Sequence, residues 1–407
     1  MALVLHVPNS ALAQDGIRNS IAGDAAADQR RIQQENLPYT VKSGDFRLLI
    51  TPSLELDYND NVNVSDTNPQ QDFILRPFLG LRATYPISRR NLLTLDVGVG
   101  YDYYFDHTSY SGVRLQSGSQ IAFDIFVGDF RFDIHDRFSF TQDPAGYAVV
   151  YGTAKYGNFQ NIAGLSVDWD LQDVVLTLGY DHLNYIVESG SLDYVDHSSE
   201  IVNFRPGLQV HPKLTVGLQG TASFTTYDQN ILNDFNNYSG GVYADWHPSS
   251  FLSVQPRAGY TLYDFQQTSF FVLAQKETGW YIDLTARHAI TESITYALSA
   301  GHELQAGIQA NIVSDWYVRP SVNWNIIKNV ALTTSFSYEH GEQSAQGFGG
   351  AASETFDWFG GGLTIAYTFL KNLRASLHYR LTVRDSDIQN RGYTQNLVGI
   401  QLTYSPR

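Results

Sequence analysis

The chain has 407 residues, no cysteine, and 41 acidic against 26 basic side chains, for a net charge of −15. The acidic balance excludes a nucleic-acid binder, which needs a basic footprint, and the missing thiols exclude a disulfide framework and a thiolate metal site. Mean hydropathy is −0.22, and no apolar run approaches the roughly 18 residues that a transmembrane helix requires, so any membrane insertion must be by a β-barrel.

Residues 1–13, MALVLHVPNSALA, read as a partial signal peptide, a short apolar stretch followed by Ala11-Leu12-Ala13 ahead of Gln14. Residues 14–43 are polar and form a periplasmic N-terminal segment, with a short helix around residues 25–34. The barrel occupies residues 44–407. Its pattern is set by residues 45–61: in steps of two, Phe46, Leu48, Ile50, Pro52, Leu54, Leu56 and Tyr58 make one apolar row, and Arg47, Thr51, Ser53, Glu55, Asp57 and Asn59 the opposite one. Only an extended strand sorts side chains this way, and its length suits a tilted strand crossing a bilayer.

The same alternation predicts strands over residues 73–85, 93–105, 115–127, 130–141, 159–169, 174–185, 198–210, 214–224, 238–246, 252–263, 278–287, 294–304, 310–324, 330–338, 355–367, 373–383 and 394–404. The fold class is all-β, a closed antiparallel transmembrane β-barrel of about 18 strands, with 16 as the alternative, since single-chain bacterial barrels favour even numbers. Connections alternate in length. Short turns such as Gly128-Asp129 and His211-Pro212-Lys213 face the periplasm, and longer loops, among them residues 142–158, face outward. All six tryptophans are placed on the outward row. Trp169, Trp246 and Trp324 end downward strands, while Trp280 and Trp358 begin them, which predicts two aromatic girdles. Trp316 falls mid-strand, outside either girdle.

The first strand ends in Tyr58-Asn59-Asp60-Asn61-Val62 and is followed by amphipathic hairpins to the C-terminus. This resembles the putative beta-barrel porin 2 family over about residues 44–407. The resemblance implies an outer-membrane barrel and, in some relatives, an association with exopolysaccharide secretion. One departure is the end, Tyr404-Ser405-Pro406-Arg407, because such barrels finish on an aromatic residue.

A barrel of this size leaves an aqueous channel rather than a filled interior, and the inward rows carry arginines and carboxylates in similar numbers. Two clusters are the expected pore lining. Arg131, Asp133, His135 and Arg137 alternate along one strand opposite Asp124, and Arg374, His378, Arg380 and Arg384 make another strand's inner face basic; Arg257, Asp283, Arg287 and Arg319 extend the set. Charged rings of this kind set selectivity in pores, although cross-strand bracing of the wall explains the same pattern. Tyr104, Tyr243, Tyr263, Tyr281 and Tyr317 face inward, either to stack on sugar rings or to fill the lumen. The Asn/Asp-rich loop at residues 59–68 lacks the EF-hand spacing and reads as turn chemistry. No metal, cofactor or catalytic motif is expected. The sequence therefore points to a non-enzymatic bacterial outer-membrane channel passing hydrophilic solutes. The alternatives are an exopolysaccharide export conduit with periplasmic partners, or a plugged structural or adhesive barrel. Expected partners are outer-membrane lipid and lipopolysaccharide and a hydrophilic solute or polysaccharide, with no nucleic acid.

Overall fold

The structure is a computed structural model that describes residues 38–189, 192–308, 311–344 and 353–405. The signal peptide expected at residues 1–13 and most of the segment at 14–43 lie outside the described residues. Among the described residues, nineteen strands form one antiparallel sheet. They are β1 (Val41–Ser43), β2 (Phe46–Asn59), β3 (Asp72–Pro86), β4 (Leu92–Tyr104), β5 (Gly112–Val127), β6 (Phe130–Thr141), β7 (Gly157–Asp170), β8 (Val174–Glu188), β9 (His197–His211) and β10 (Leu214–Tyr227). The rest are β11 (Phe235–Ser249), β12 (Leu252–Phe265), β13 (Lys276–Ala289), β14 (Ile294–Ala306), β15 (Ile312–Ile327), β16 (Val330–Gln343), β17 (Glu354–Leu370), β18 (Leu373–Ser386) and β19 (Tyr393–Tyr404).

Strands β2 to β19 pair consecutively, and β19 returns to β2 from Leu397↔Asn59 to Thr403↔Ser53, closing an 18-strand barrel. Closure staggers the ends, so β2 runs below the last residue of β19. The short β1, absent from the sequence reading, fills that gap. It pairs with Phe46–Leu48, while Thr40 donates from its backbone N–H to Leu48 O at 2.7 Å and accepts from Ile50 N at 2.9 Å through its hydroxyl. An edge that would otherwise template other chains is thereby covered.

The Tyr58–Val62 stretch clasps the outer end of the same seam. Asp60 accepts from the backbone and side chain of Asn396 at 2.6 and 2.7 Å, Asn61 donates to Thr394 O at 3.0 Å, and Gln395 donates to Asn61 O at 2.7 Å. Asn61 also ties Ser65 from both sides, so these residues do perform turn chemistry.

The outward row is apolar and exposed, as Leu54, Leu79, Leu178, Leu218, Val242 and Ile400 illustrate. Strands exceed their expected lengths mostly at the extracellular ends: β8 reaches Glu188, β11 begins at Phe235 and β16 reaches Gln343. The alternation fades there because the inner row itself turns apolar, with Tyr185, Val187, Phe235, Tyr263 and Phe265 all buried inside the barrel. β5 carries an irregularity against both neighbours, where its pairing skips from Leu115 to Gln120 against β4 and from Leu115 to Ser119 against β6, around Gly118 at φ +82°. Such bulges bend a strand and loosen its ladder locally.

Candidate functional site

The two halves of the lumen differ. Toward the periplasm, inner-row residues on β12, β13 and β18 such as Arg257, Asp283 and Arg380 remain partly exposed, whereas on β3 to β6 Thr84, Thr94, Asp124 and Asp133 are buried even there, and in the outer half the inner rows are buried, as at Thr261, Tyr263 and Phe265 on β12. Water therefore reaches a vestibule open to the periplasm, and the outer half is packed.

The packing is organised by residues 142–156, the connection between β6 and β7, which turns inward. Asp143 accepts from Ala145 N at 3.1 Å and so caps the tight turn Pro144–Gly146, and Gly152 reverses the chain at φ +66°, a value that suits glycine. Tyr147, Val150 and Tyr156 join one apolar cluster with Tyr185, Tyr263 and Ile312. Ala148 packs on Val313, Phe356 and Trp358, and Ala145 on Val64 and Tyr393. Val313 belongs to β15, nine strands round the ring from β6, so the loop spans the whole bore.

On its other side the loop is held by polar contacts. Arg380 pairs with Asp143 at 2.6 Å, Arg384 donates to Ala148 O at 2.7 Å, and Gly152 N donates to Val64 O at 2.9 Å. Tyr151 lies against two guanidinium groups, 5.0 Å from Arg384 and 5.1 Å from Arg391, and both arginines pair with Glu354 at 2.7 and 2.6 Å. Burial would raise the Asp143 carboxyl, but the positive charges of Arg380 and then Arg76 outweigh it and hold the group below the usual carboxylate range.

The expected pore lining divides into three. Arg257, Asp283, Arg131, Arg137, Arg374, His378 and Arg380 face inward at the vestibule or beside the loop, half-buried, and Arg287 is exposed. Arg384, Arg319, Asp124, Asp133 and His135 also face inward but are sealed, at no more than 9% exposure each, so the expectation that they line a water path is corrected. Their partners explain this: Arg319 lies on Glu339 at 2.7 Å, Asp124 on Arg131 at 3.2 Å, and His135 contacts Asp181 at 2.8 Å. The sugar-stacking reading of the tyrosines is likewise overturned for Tyr104, Tyr243, Tyr263 and Tyr317, which are buried; the Arg205 guanidinium covers the Tyr243 ring at 3.8 Å.

Trp169, Trp246, Trp280 and Trp324 are exposed on the outer face. Trp358 is not. It is 4% exposed, points into the barrel against Ala148, and donates from its indole to the Tyr393 hydroxyl at 3.3 Å. Phe356, Trp358 and Phe359 place aromatics on both rows of β17, so alternation could not choose the face. Trp316 gains a place, because β15 begins at Ile312 and sets Trp316 level with Trp280, with His302 stacked on Trp280 at 4.1 Å and tilted against Trp316 at 4.8 Å.

Sequence reasoning missed two devices. One is the acidic half of the loop's latch, Asp143 and Glu354. The other is a bridge across an intervening glycine. His135 on β6, Gly164 on β7 and Asp181 on β8 are in register, and the imidazole meets the carboxylate over the strand between. His378 on β18, Gly399 on β19 and Asp57 on β2 repeat this at 2.8 Å across the closing seam. A Cβ at either glycine would overlap the carboxylate. The signal, an inward glycine flanked in register by histidine and aspartate, is invisible until register is known. Glu55, Asp57 and His378 bring ligand-type atoms within 4.8 Å of one another, and Arg76 already donates to both carboxylates.

Comparison with known structures returns the same architecture. The chain is similar to a BenF-like porin from Pseudomonas fluorescens Pf-5 (TM-score 0.50, 11% identity, 88% of this chain and 98% of that one). It is also similar to Pseudomonas aeruginosa OccK2 (OpdF), solved in complex with glucuronate (0.49, 11%, 89% and 98%), and to Acinetobacter baumannii OccAB3 (0.46, 8%, 88% and 99%). No curated protein sequence matches. The family described as "Putative beta-barrel porin 2" matches residues 38–405. With an 18-strand antiparallel barrel, an apolar outer face and that match across the described chain, this protein belongs to the Putative beta-barrel porin 2 family, as a porin-like barrel of the bacterial outer membrane.

Proposed function

We propose that this barrel is a non-enzymatic channel for small hydrophilic solutes, and that residues 142–156 close its outer half until they swing off the β18–β19 wall. The observation that carries the reading is the asymmetry of the loop's contacts. One side is buried in aromatic and aliphatic packing, whereas the side facing β18 and β19 is held mainly by charged groups, the Arg380–Asp143 pair, each side chain about one-third exposed, and the buried Arg384 that Glu354 compensates, beside the small contact of Ala145 with Val64 and Tyr393. The partly exposed pair contributes little, about 0.2–1 kcal/mol, and the charged groups, unlike the apolar cluster, regain water when the loop leaves, so this is the side that yields, and a path opens between the loop and the charged wall of β18, β19, β2 and β3. A wide export bore fits this lumen poorly, because its outer half is packed across the full diameter. The test is single-channel recording in planar bilayers on the wild type and on Arg380→Gln. Brief openings that lengthen in the variant are expected. A folded barrel that passes no current in either form would overturn the reading.

A further inference from the structure

The charges that a solute meets fall into two zones. The extracellular connections carry nine carboxylates (Asp60, Asp66, Asp106, Asp143, Asp193, Asp196, Asp228, Asp234 and Asp387) against two cationic side chains, Lys155 and Arg391. The periplasmic turns are nearly balanced, with Arg89, Arg90, Lys213, Lys328 and Lys371 against Asp45, Asp129, Asp173 and Glu292. Fields of one sign at a low-dielectric mouth concentrate counter-ions and deplete like charges, over a range of about 8 Å in physiological salt. An approaching anion is disfavoured before it enters.

Inside, much of the positive charge is already matched. Around the accessible wall, Arg82 meets Asp96 at 2.6 Å, Arg205 meets Asp245 at 2.9 Å, and Arg257 meets Asp283 at 2.7 Å. Arg287 and Arg374 lie beyond this belt, near the periplasmic ends of β13 and β18. A guanidinium engaged by a carboxylate offers an incoming anion little net attraction, because the anion must either displace the fixed partner or crowd against it. The paired groups still hold unused donor hydrogens beside acceptor lone pairs. Such a wall hydrogen-bonds an uncharged, polyhydroxylated molecule on both counts.

We infer that the channel discriminates by charge, passing uncharged polyhydroxylated solutes in preference to carboxylates, with cations ahead of anions among small ions. This rests on the channel reading and names its solute class.

The test uses the full-length barrel in liposomes, with swelling rates measured in isotonic glucose, glucosamine and sodium gluconate, three six-carbon solutes of similar size, together with reversal potentials in a KCl gradient. Glucose entry at least threefold faster than gluconate, with K⁺ favoured over Cl⁻, is expected. Asp245→Asn and Asp283→Asn uncover Arg205 and Arg257 without changing shape, and each should raise gluconate entry and shift the reversal potential toward Cl⁻. Gluconate entering as fast as glucose in the wild type, or variants that leave the ratio unchanged, would overturn the inference while leaving the channel intact. Swelling in none of the solutes by any form removes the channel reading itself, and this inference with it.

Discussion

Glu354→Gln tests the latch most sharply. The Glu354 side chain is 2% exposed and Arg384 1%, and Glu354 also engages Arg391, which is 18% exposed. Removing one partner of a buried pair costs about 3–5 kcal/mol, because the other charge is left uncompensated. Arg384 keeps its bonds to Ala148 O and Arg391 O at 2.7 and 2.6 Å, and Arg391 can turn to water, so the lower end applies. About 3 kcal/mol, at 1.36 kcal/mol per tenfold, is a shift of roughly 150-fold in an equilibrium. If that cost falls on docking of the loop, the opened fraction rises by the same factor. Because the chain lacks cysteine, a thiol placed at Ala148, which is 2% exposed, reports opening directly through its rate of maleimide labelling. Ala148→Cys should label slowly alone and about a hundredfold faster with Glu354→Gln. Rates within threefold of each other, in barrels whose heat-modifiability is unchanged, would refute the argument that these buried charges hold the loop.

Three further outcomes follow from the same geometry. The Asp143 carboxyl is depressed when docked, so its contribution is complete above the usual carboxylate range and is lost as pH falls through the lower docked value; channel openings should increase in acid, and Asp143→Asn should abolish that dependence. Brominated lipids should quench single-tryptophan variants retaining Trp169, Trp246, Trp280, Trp316 or Trp324, and should spare one retaining Trp358; quenching of Trp358 would return it to the girdle. Gly399→Ala places a methyl group against Asp57 and His378 in the closing seam, and a loss of about 1–3 kcal/mol from overpacking should appear as a lower midpoint of thermal unfolding, with Gly240→Ala, where a Cβ meets open space, as the control.

Much of the fold was legible because a lipid-facing barrel writes itself in period two. Leu54, Leu56 and Tyr58 alternate with Glu55, Asp57 and Asn59 whatever lies further along the chain, and the strand count, the alternating turn lengths and five outward tryptophans follow from that local rule. It failed where the inner face ceased to be wet. On β17, Phe356, Trp358 and Phe359 satisfy either orientation, and the inward one prevails only because Ala148 and Val313 converge on Trp358 from elsewhere in the ring.

The candidate site divides along the same line. The sequence alone determined that Arg380 and Arg384 share the inner face of one strand with His378, and that residues 142–158 form a long outer connection. Only the tertiary structure decided that this connection turns inward, that Asp143 and Glu354 neutralise those arginines, and that glycines at 164 and 399 let histidine and aspartate meet across a strand. The physical reason is range. Where one row is polar, the face that a side chain takes is fixed by its immediate neighbours along the strand, whereas its partner is fixed by register and closure, which bring together residues as far apart as Asp57 and His378.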